Sequence, residues 1–505
     1  MTVDLSGSTG ASSGQSTAWE SLAWDLLRAS VKRLQMRIAK AIRANDHGRA
    51  RALQWMLTHS HAAKLLAVHR VSSNKGHATP GVDGQVWRSD SQKFAAVLRL
   101  KQRGYQPQPL RRIYIPKKNG KLRPLSIPTM LDRAHQALHA LALQPIAETR
   151  ADKNSYGFRE GRCCADAIAQ CFNALAKSYA PVWVLEGDIK SCFDEISHDW
   201  LLNHIPMNRE ILRKWLRAGF LEQGRLYPTR AGTPQGGIAS PLLANMTLDQ
   251  LEPAIQAVIR PRRDKVNFIR YADDFIVTAA GREVLEERVK PVIAVFLRER
   301  GLSLSEEKTK ITHIEEGFDF LGQNLRKQGK KLRITPSRKA IAGIREKARQ
   351  CIRRCRGLAT EVLIRTLNPI LRGWANYHRY VVAREAFYQV QRYVRDLLWR
   401  WMRRRHPNKS CTWRRRKYYP AAGGGCFSTW VRTRDGEPRL LKLWNLLQTV
   451  MERHIKVKAE ANPYHPDWVK YFEKRRSFAW RSYPVGNGSP LATVGANRLS
   501  EYLQL

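Results

Sequence analysis

The chain has 505 residues, with 88 Lys or Arg against 43 Asp or Glu, a net charge of +45 and an isoelectric point near 10.5. That length is enough for several domains with a sizeable core, and so large a positive excess points to a polyanionic partner, nucleic acid above all. The eight cysteines form no C-x-x-C pair, which argues against a zinc module and for a reducing compartment. No apolar run approaches the ~18–20 residues that cross a bilayer.

Residues 1–17, rich in Ser, Thr and Gly, are expected to be a disordered tail. They lack the apolar stretch of a signal peptide, and no Arg precedes Arg28, so a cytoplasmic protein is expected. From Trp19 to about Val71, apolar residues (Trp24, Leu27, Val31, Leu34, Ile38, Ile42) recur at helical spacing between basic ones. A helix packed on its own domain is the simpler reading, and direct RNA contact the alternative. Loop chemistry follows from Asn74 to Gly84. In Arg111–Leu125, two short strands meeting at Asn119-Gly120 predict a type I′ hairpin with cationic edges. It is either a solvated ribbon or a fingertip over a nucleoside triphosphate, with Lys117 and Arg123 on the phosphates. An Arg fork matches phosphate oxygens and stays charged. Asn154–Arg159 reads as a turn carrying two aromatic residues, for stacking on bases or for the core.

The apolar run Val182–Leu185 leads into Asp188, and a helix is expected after Ser197 as its N-cap. Gly232–Pro241 is a Gly-rich loop in which backbone amides can approach a ligand and Gln235 can hydrogen bond a base or sugar. In Val266–Ala279, two strand-like runs flank Tyr271-Ala272-Asp273-Asp274, which predicts a hairpin with two carboxylates at its tip. An Asp-rich turn is common by itself. If the strand ending in Asp188 lies beside this hairpin, three carboxylates meet and suit two Mg²⁺ ions ~3.5–4 Å apart, the arrangement used for in-line phosphoryl chemistry.

From Gln323 to Lys417 there are 28 Lys or Arg against 4 Asp or Glu. Helical stretches at 338–356, 360–373 and 385–405 carry apolar stripes under basic faces. Such helices can lie on a membrane; three in succession after the carboxylate blocks look instead like a grip on a nucleic-acid duplex. Arg403, Arg404, Arg405, Arg414, Arg415, Arg416 and Lys417 add salt-sensitive, backbone-binding charge. A smaller unit follows Gly423-Gly424-Gly425. Residues 463–505 contain His465 alone and no cysteine, so no HNH nuclease is expected there.

Taken in order, these blocks resemble group II intron-encoded reverse transcriptases and maturases: Thr79-Pro80-Gly81-Val82-Asp83-Gly84, the Asp188 block, the Gly232–Pro241 loop, the Tyr271–Asp274 box, Gly301–Lys310, Phe318–Gly322, and Leu371-Arg372-Gly373-Trp374-Ala375-Asn376-Tyr377-His378. The resemblance implies an α/β (α+β) right-hand polymerase: fingers and palm over 18–325, a helical thumb and maturase domain over 326–420, a basic, DNA-binding-like module over 421–480 and a flexible tail over 481–505. It implies an RNA-directed DNA polymerase that binds its intron RNA, target DNA and dNTPs, with no membrane and no zinc. Asp188, Asp273, Asp274 and the Ile189 carbonyl would hold the two Mg²⁺ ions. Lys117, Arg123, Gln235 and Lys308 would bind nucleotide, and Phe193, five residues past Asp188, would exclude a 2′-hydroxyl. Arg372, Trp374 and Tyr377 would contact intron RNA. A retron-type or diversity-generating reverse transcriptase and a splicing-only RNA chaperone are the alternatives; the Trp374 segment speaks against the first, the intact Asp set against the second.

Overall fold

The computed structural model describes residues 18–116, 120, 122–433 and 435–481, the side chains of 477–481 excepted. Lys117, the Asn119 turn and, but for Arg481, the two expected tails lie outside the described residues. Helices and sheets are mixed, and the chain divides into two compact units. Among the described residues no helix is long and apolar enough to cross a membrane.

Among the described residues, the first unit comprises 18–150, 193–247 and 462–473. The helical pattern from Trp19 resolves into three helices, Trp24–Arg43, His47–His59 and His61–Ser73, because the chain turns at Asn45 (φ 54°) and again at Ser60. Asp46 caps the second by accepting from the Arg49 amide at 2.9 Å. All three pack on the helix Met130–Arg150, with Ile38, Leu57, Val68 and Leu138 in one shared apolar core. The strands Leu110–Pro116 and Leu122–Ile127 form the expected antiparallel pair, and the first also runs parallel to Phe220–Glu222. Buried Arg133 pins the Asn74–Gly84 loop by donating to the carbonyls of Gly76 and Thr79.

Among the described residues, the second unit comprises 151–192, 248–461 and 474–481. Its main sheet is wholly antiparallel, in the spatial order Asn267–Tyr271, Asp274–Ala279, Trp183–Asp188, Lys310–His313. The β-branched and aromatic residues that mark these strands in the sequence fill the interior: Val184, Leu185, Phe268, Ile269, Phe275 and Ile276 are almost wholly buried. Phe318–Phe320 joins a separate three-stranded sheet with Gln323–Gln328 and Lys331–Pro336, not the main one. Helices Arg338–Arg354, Thr360–His378 and Arg384–Arg405 then pack around Ile344, Leu363, Leu367, Leu371, Phe387 and Leu398. The hairpin Ser428–Arg432/Pro438–Lys442 lies against Thr360–His378.

Candidate active site

Two close approaches set the carboxylates. Gly187 precedes Asp188, and a Cβ there would meet the Phe275 ring at 2.2 Å, so only glycine lets that ring cover the strand. This packing fixes the register in which Asp188 faces Asp274 directly across the sheet. On the other side of Asp274, Tyr271 is its cross-strand partner, which leaves Ala272 and Asp273 as a two-residue turn. Ala272 takes φ 58°, a conformation costly for a residue with a side chain, and the surroundings hold it there. Gly157 lies so near that a Cβ would meet the Ala272 amide nitrogen at 2.3 Å. The segment before it runs beside the hairpin: Arg270 N–H donates to Asn154 and Tyr156 N–H to Arg270, both at 2.9 Å. Asn154–Arg159 is therefore a buttress, and Tyr156 is fully buried rather than placed to stack on a base.

Behind the turn lies Arg270, 0% exposed. One guanidinium nitrogen contacts Asp249 at 2.5 Å, and another donates to the Ala272 carbonyl at 3.3 Å. Sequence reasoning passed over this pair. Its signal was a lone cation inside the apolar run Phe268-Ile269-Arg270-Tyr271, since a charge buried in a strand needs a partner. Cys164 is a second omission: its buried thiol lies beside the hydroxyls of both Tyr271 and Tyr377, and burial raises its pKa to about 11.

Like charge dominates the front of the site. Water reaches the Asp274 side chain, but the dense protein around it, then Asp273 and Asp188, drive its carboxyl well above the ordinary range. Lys308 opposes this: its ammonium contacts Asp188 at 2.8 Å, and that bond raises the pKa of Lys308. Three converging carboxylates, with one Lys against them, form the hard oxygen donor set that suits a divalent cation. The Ile189 carbonyl also stays outside its bridge to Leu304, whose bonds run from Lys190 N–H to Ser303 and from Ser305 N–H to Asp188.

The remaining nucleotide-site candidates belong to the first unit. Phe193 is half-buried, in the short helix Cys192–Glu195, and its carbonyl accepts from Thr233 N–H at 2.6 Å. The Gln235 side chain donates to Asp194 at 3.1 Å, and its carbonyl accepts from Ser126 N–H at 2.8 Å. Ser126 lies three residues along the strand from Arg123. Arg123, Phe193 and Gln235 thus sit on one connected patch of loop and strand.

Among the RNA-binding candidates the structure separates faces. Arg372, Arg403, Arg404, Arg405, Arg415, Arg416 and Lys417 are exposed, with Arg405 also donating to the Leu358 carbonyl at 2.7 Å. Three others are half-buried and engaged within the protein. Trp374 packs on His378 and Phe387 against the helical core, and Tyr377 donates to the Leu321 carbonyl at 2.6 Å. Arg414 is spent on the end of the preceding helix, where it donates to the carbonyls of His406 and Pro407.

Known families match this chain in three consecutive pieces. The family described as N-terminal domain of reverse transcriptase matches residues 19–100, that described as Reverse transcriptase (RNA-dependent DNA polymerase) matches 115–325, and that described as Group II intron, maturase-specific domain matches 341–419. Protein YkfC of Escherichia coli is 33% identical over 302 residues, which are 50% of this chain and 77% of that protein. The group II intron-encoded protein LtrA of Lactococcus lactis is 31% identical over 52% of this chain, a region that spans 54% of LtrA. A 91 kDa protein from a cob intron of Schizosaccharomyces pombe is 29% identical over 64% of this chain and 50% of its own length.

Proposed function

The chain belongs to the group II intron reverse transcriptase and maturase family, RNA-directed DNA polymerases of right-hand fold that use divalent metal ions, and from that premise we propose how its own residues serve copying and splicing. Asp188, Asp273, Asp274 and the Ile189 carbonyl would hold two Mg²⁺ ions. Such ions lower the charge on the triphosphate and sharpen the primer 3′-hydroxyl as a nucleophile. The observation that carries this reading is the register that sets Asp188 opposite Asp274 with Asp273 in the adjoining turn.

The protein's own work is alignment. Arg123 and Lys117 neutralise the phosphates of an incoming dNTP. Lys308 supplies mobile positive charge beside Asp188 for the pyrophosphate that leaves as the primer oxygen bonds to the α-phosphorus. Phe193 lies against the sugar and discriminates against ribonucleotides, and Gln235 steadies the loop that borders the nucleotide. The exposed arginines of the maturase helices bind intron RNA; target DNA is the second polyanion, met by the module after residue 420. The reading includes the domain limits 18–325, 326–420 and 421–480, and a cytoplasmic protein associated with the nucleoid when it holds DNA.

Primer extension on an RNA template, with dNTPs and Mg²⁺, tests it. The wild-type protein should extend the primer, and Asp273→Asn should lower the rate by about a thousandfold or more, the scale of several kcal/mol of charge stabilisation. Affinity for intron RNA should persist in that variant. Equal loss of synthesis and RNA binding in a folded Asp273→Asn protein would sink the separation of the two functions.

A further inference from the structure

A cleft of about 340 Å³ opens between the helix Thr360–His378 and the end of the strand Pro438–Lys442. It is assembled by Asn368. That side chain donates to the Lys442 carbonyl at 3.0 Å and accepts from Trp444 N–H at 2.7 Å, which clamps both residues to the helix. One turn on, Arg372 projects from the same helix face, and its guanidinium lies 4.5 Å from the centre of the Trp444 ring. Lys442 and Gln448 complete the exposed rim. The Trp444 indole N–H is buried and has no acceptor among the described residues.

We propose that this cleft captures a single unpaired nucleotide of RNA. Its chemistry is that of a nucleotide throughout. Arg372 and Lys442 place two cations at the rim for the backbone phosphates that flank the nucleotide. With the Arg372 guanidinium over the Trp444 ring, the two side chains offer π-surface on which an unstacked base packs, as bases do on aromatic rings and guanidinium groups. The size is at the small end of ligand pockets, and a duplex, whose bases are stacked and paired, offers no free base to enter it. RNA is favoured over DNA because the wall that carries Arg372 lies within the stretch matched as the maturase-specific domain. The inference therefore rests on the reading of this chain as an intron RNA-binding protein and names the site at which one nucleotide is held.

The experiment uses the full chain and a 4-thiouridine-containing single-stranded RNA oligonucleotide. On irradiation, a nucleotide should crosslink within residues 443–453, the peptide that contains Trp444. In fluorescence anisotropy, Arg372→Ala/Lys442→Ala should weaken binding about tenfold and reduce the salt-dependence slope by roughly 1.4, two phosphate contacts on a single strand. Lys442→Glu, at an exposed side chain, serves as a second variant and should weaken binding at least as much as loss of that contact alone. No crosslink in that peptide together with unchanged slopes overturns the proposal. Equal losses for single-stranded DNA overturn its assignment to RNA. Wild-type primer extension, run alongside, tells the two readings apart. If the wild type extends a primer and binds RNA while the cleft variants bind as tightly, the cleft alone is wrong; if it does neither, the family reading and the cleft fall together.

Discussion

The second unit handles charge in opposite ways at its two ends. In the main sheet, anions are gathered: Asp188, Asp273 and Asp274 converge at one strand end, and a fully buried cation, Arg270, holds the turn from behind. In the helices after residue 338, cations are spread: Arg403, Arg404, Arg415 and Arg416 stand exposed above an apolar core that makes no use of them. The first arrangement depends on position, because a carboxylate displaced by one residue of strand register points to the other face. The second depends on number, because a phosphate chain accepts charge wherever it is offered. Changes in the sheet should accordingly be large and hard to compensate, and changes on the helices small and close to additive.

The largest effect expected from a residue that touches no substrate is at Arg270. Arg270→Met removes the guanidinium that faces buried Asp249, a loss of about 3–5 kcal/mol, to be read as a fall in denaturation midpoint. Arg270→Met/Asp249→Leu removes both charges and should recover most of that stability. Polymerisation should stay low in the double variant, because the Ala272 carbonyl still lacks its donor and the turn bearing Asp273 is no longer held. Full recovery of activity together with stability would show that the ion pair is merely structural.

How far the sequence reveals each region follows from the same contrast. Strand periodicity and the Tyr271–Asp274 break are local, so the hairpin and its partner strand were readable from Val266–Ala279 and Val182–Asp188 alone. The buttress was not: Asn154 meets Arg270, and Gly157 meets Ala272, across more than a hundred residues of chain, and no local pattern records such a contact. On the helices, composition announced a cationic surface but not which side chains form it. Trp374, Tyr377 and Arg414 sit among surface arginines in sequence, and the helical rotation of each turns it inward or onto a neighbouring helix end. The grouping of Arg123, Phe193 and Gln235 in the first unit likewise depends on a contact between Ser126 and the Gly-rich loop, 109 residues apart in number.

A third difference between the regions is titration. His378 is buried at the C-terminal end of the helix Thr360–His378, with its ring against Gln323 at 3.0 Å, and burial pushes its pKa down to about 3. Burial does the same to His139, to about 4, and to His135, to about 3. The folded protein keeps these rings neutral below pH 6.5 while the unfolded chain protonates them. Stability therefore declines as pH falls from about 6.5 toward the folded values, by about 1.4 kcal/mol per pH unit for each histidine. His378→Gln should flatten that slope by about one histidine's share between pH 6.5 and 5, measured by denaturant unfolding. The arginines do not titrate in this range, so RNA affinity of the folded fraction should hold. An unchanged slope would mean that His378 takes up a proton in the folded state.

The smallest effect belongs to a single surface cation. Arg415 is exposed on the helix Cys411–Tyr418 and lies outside the helical core. If it meets one RNA phosphate, Arg415→Ala removes one counterion-release contact, which at physiological salt is worth about three- to fourfold in affinity and about 0.7 in the slope of log affinity against log salt. Thermal stability should not change, since no apolar area and no hydrogen bond to the core is lost. Arg415→Ala/Arg416→Ala should roughly double the change in slope, as independent contacts do. A loss from either substitution much beyond tenfold would mean that Arg415 recognises one defined feature of the RNA, and the helices would then share the positional logic of the sheet.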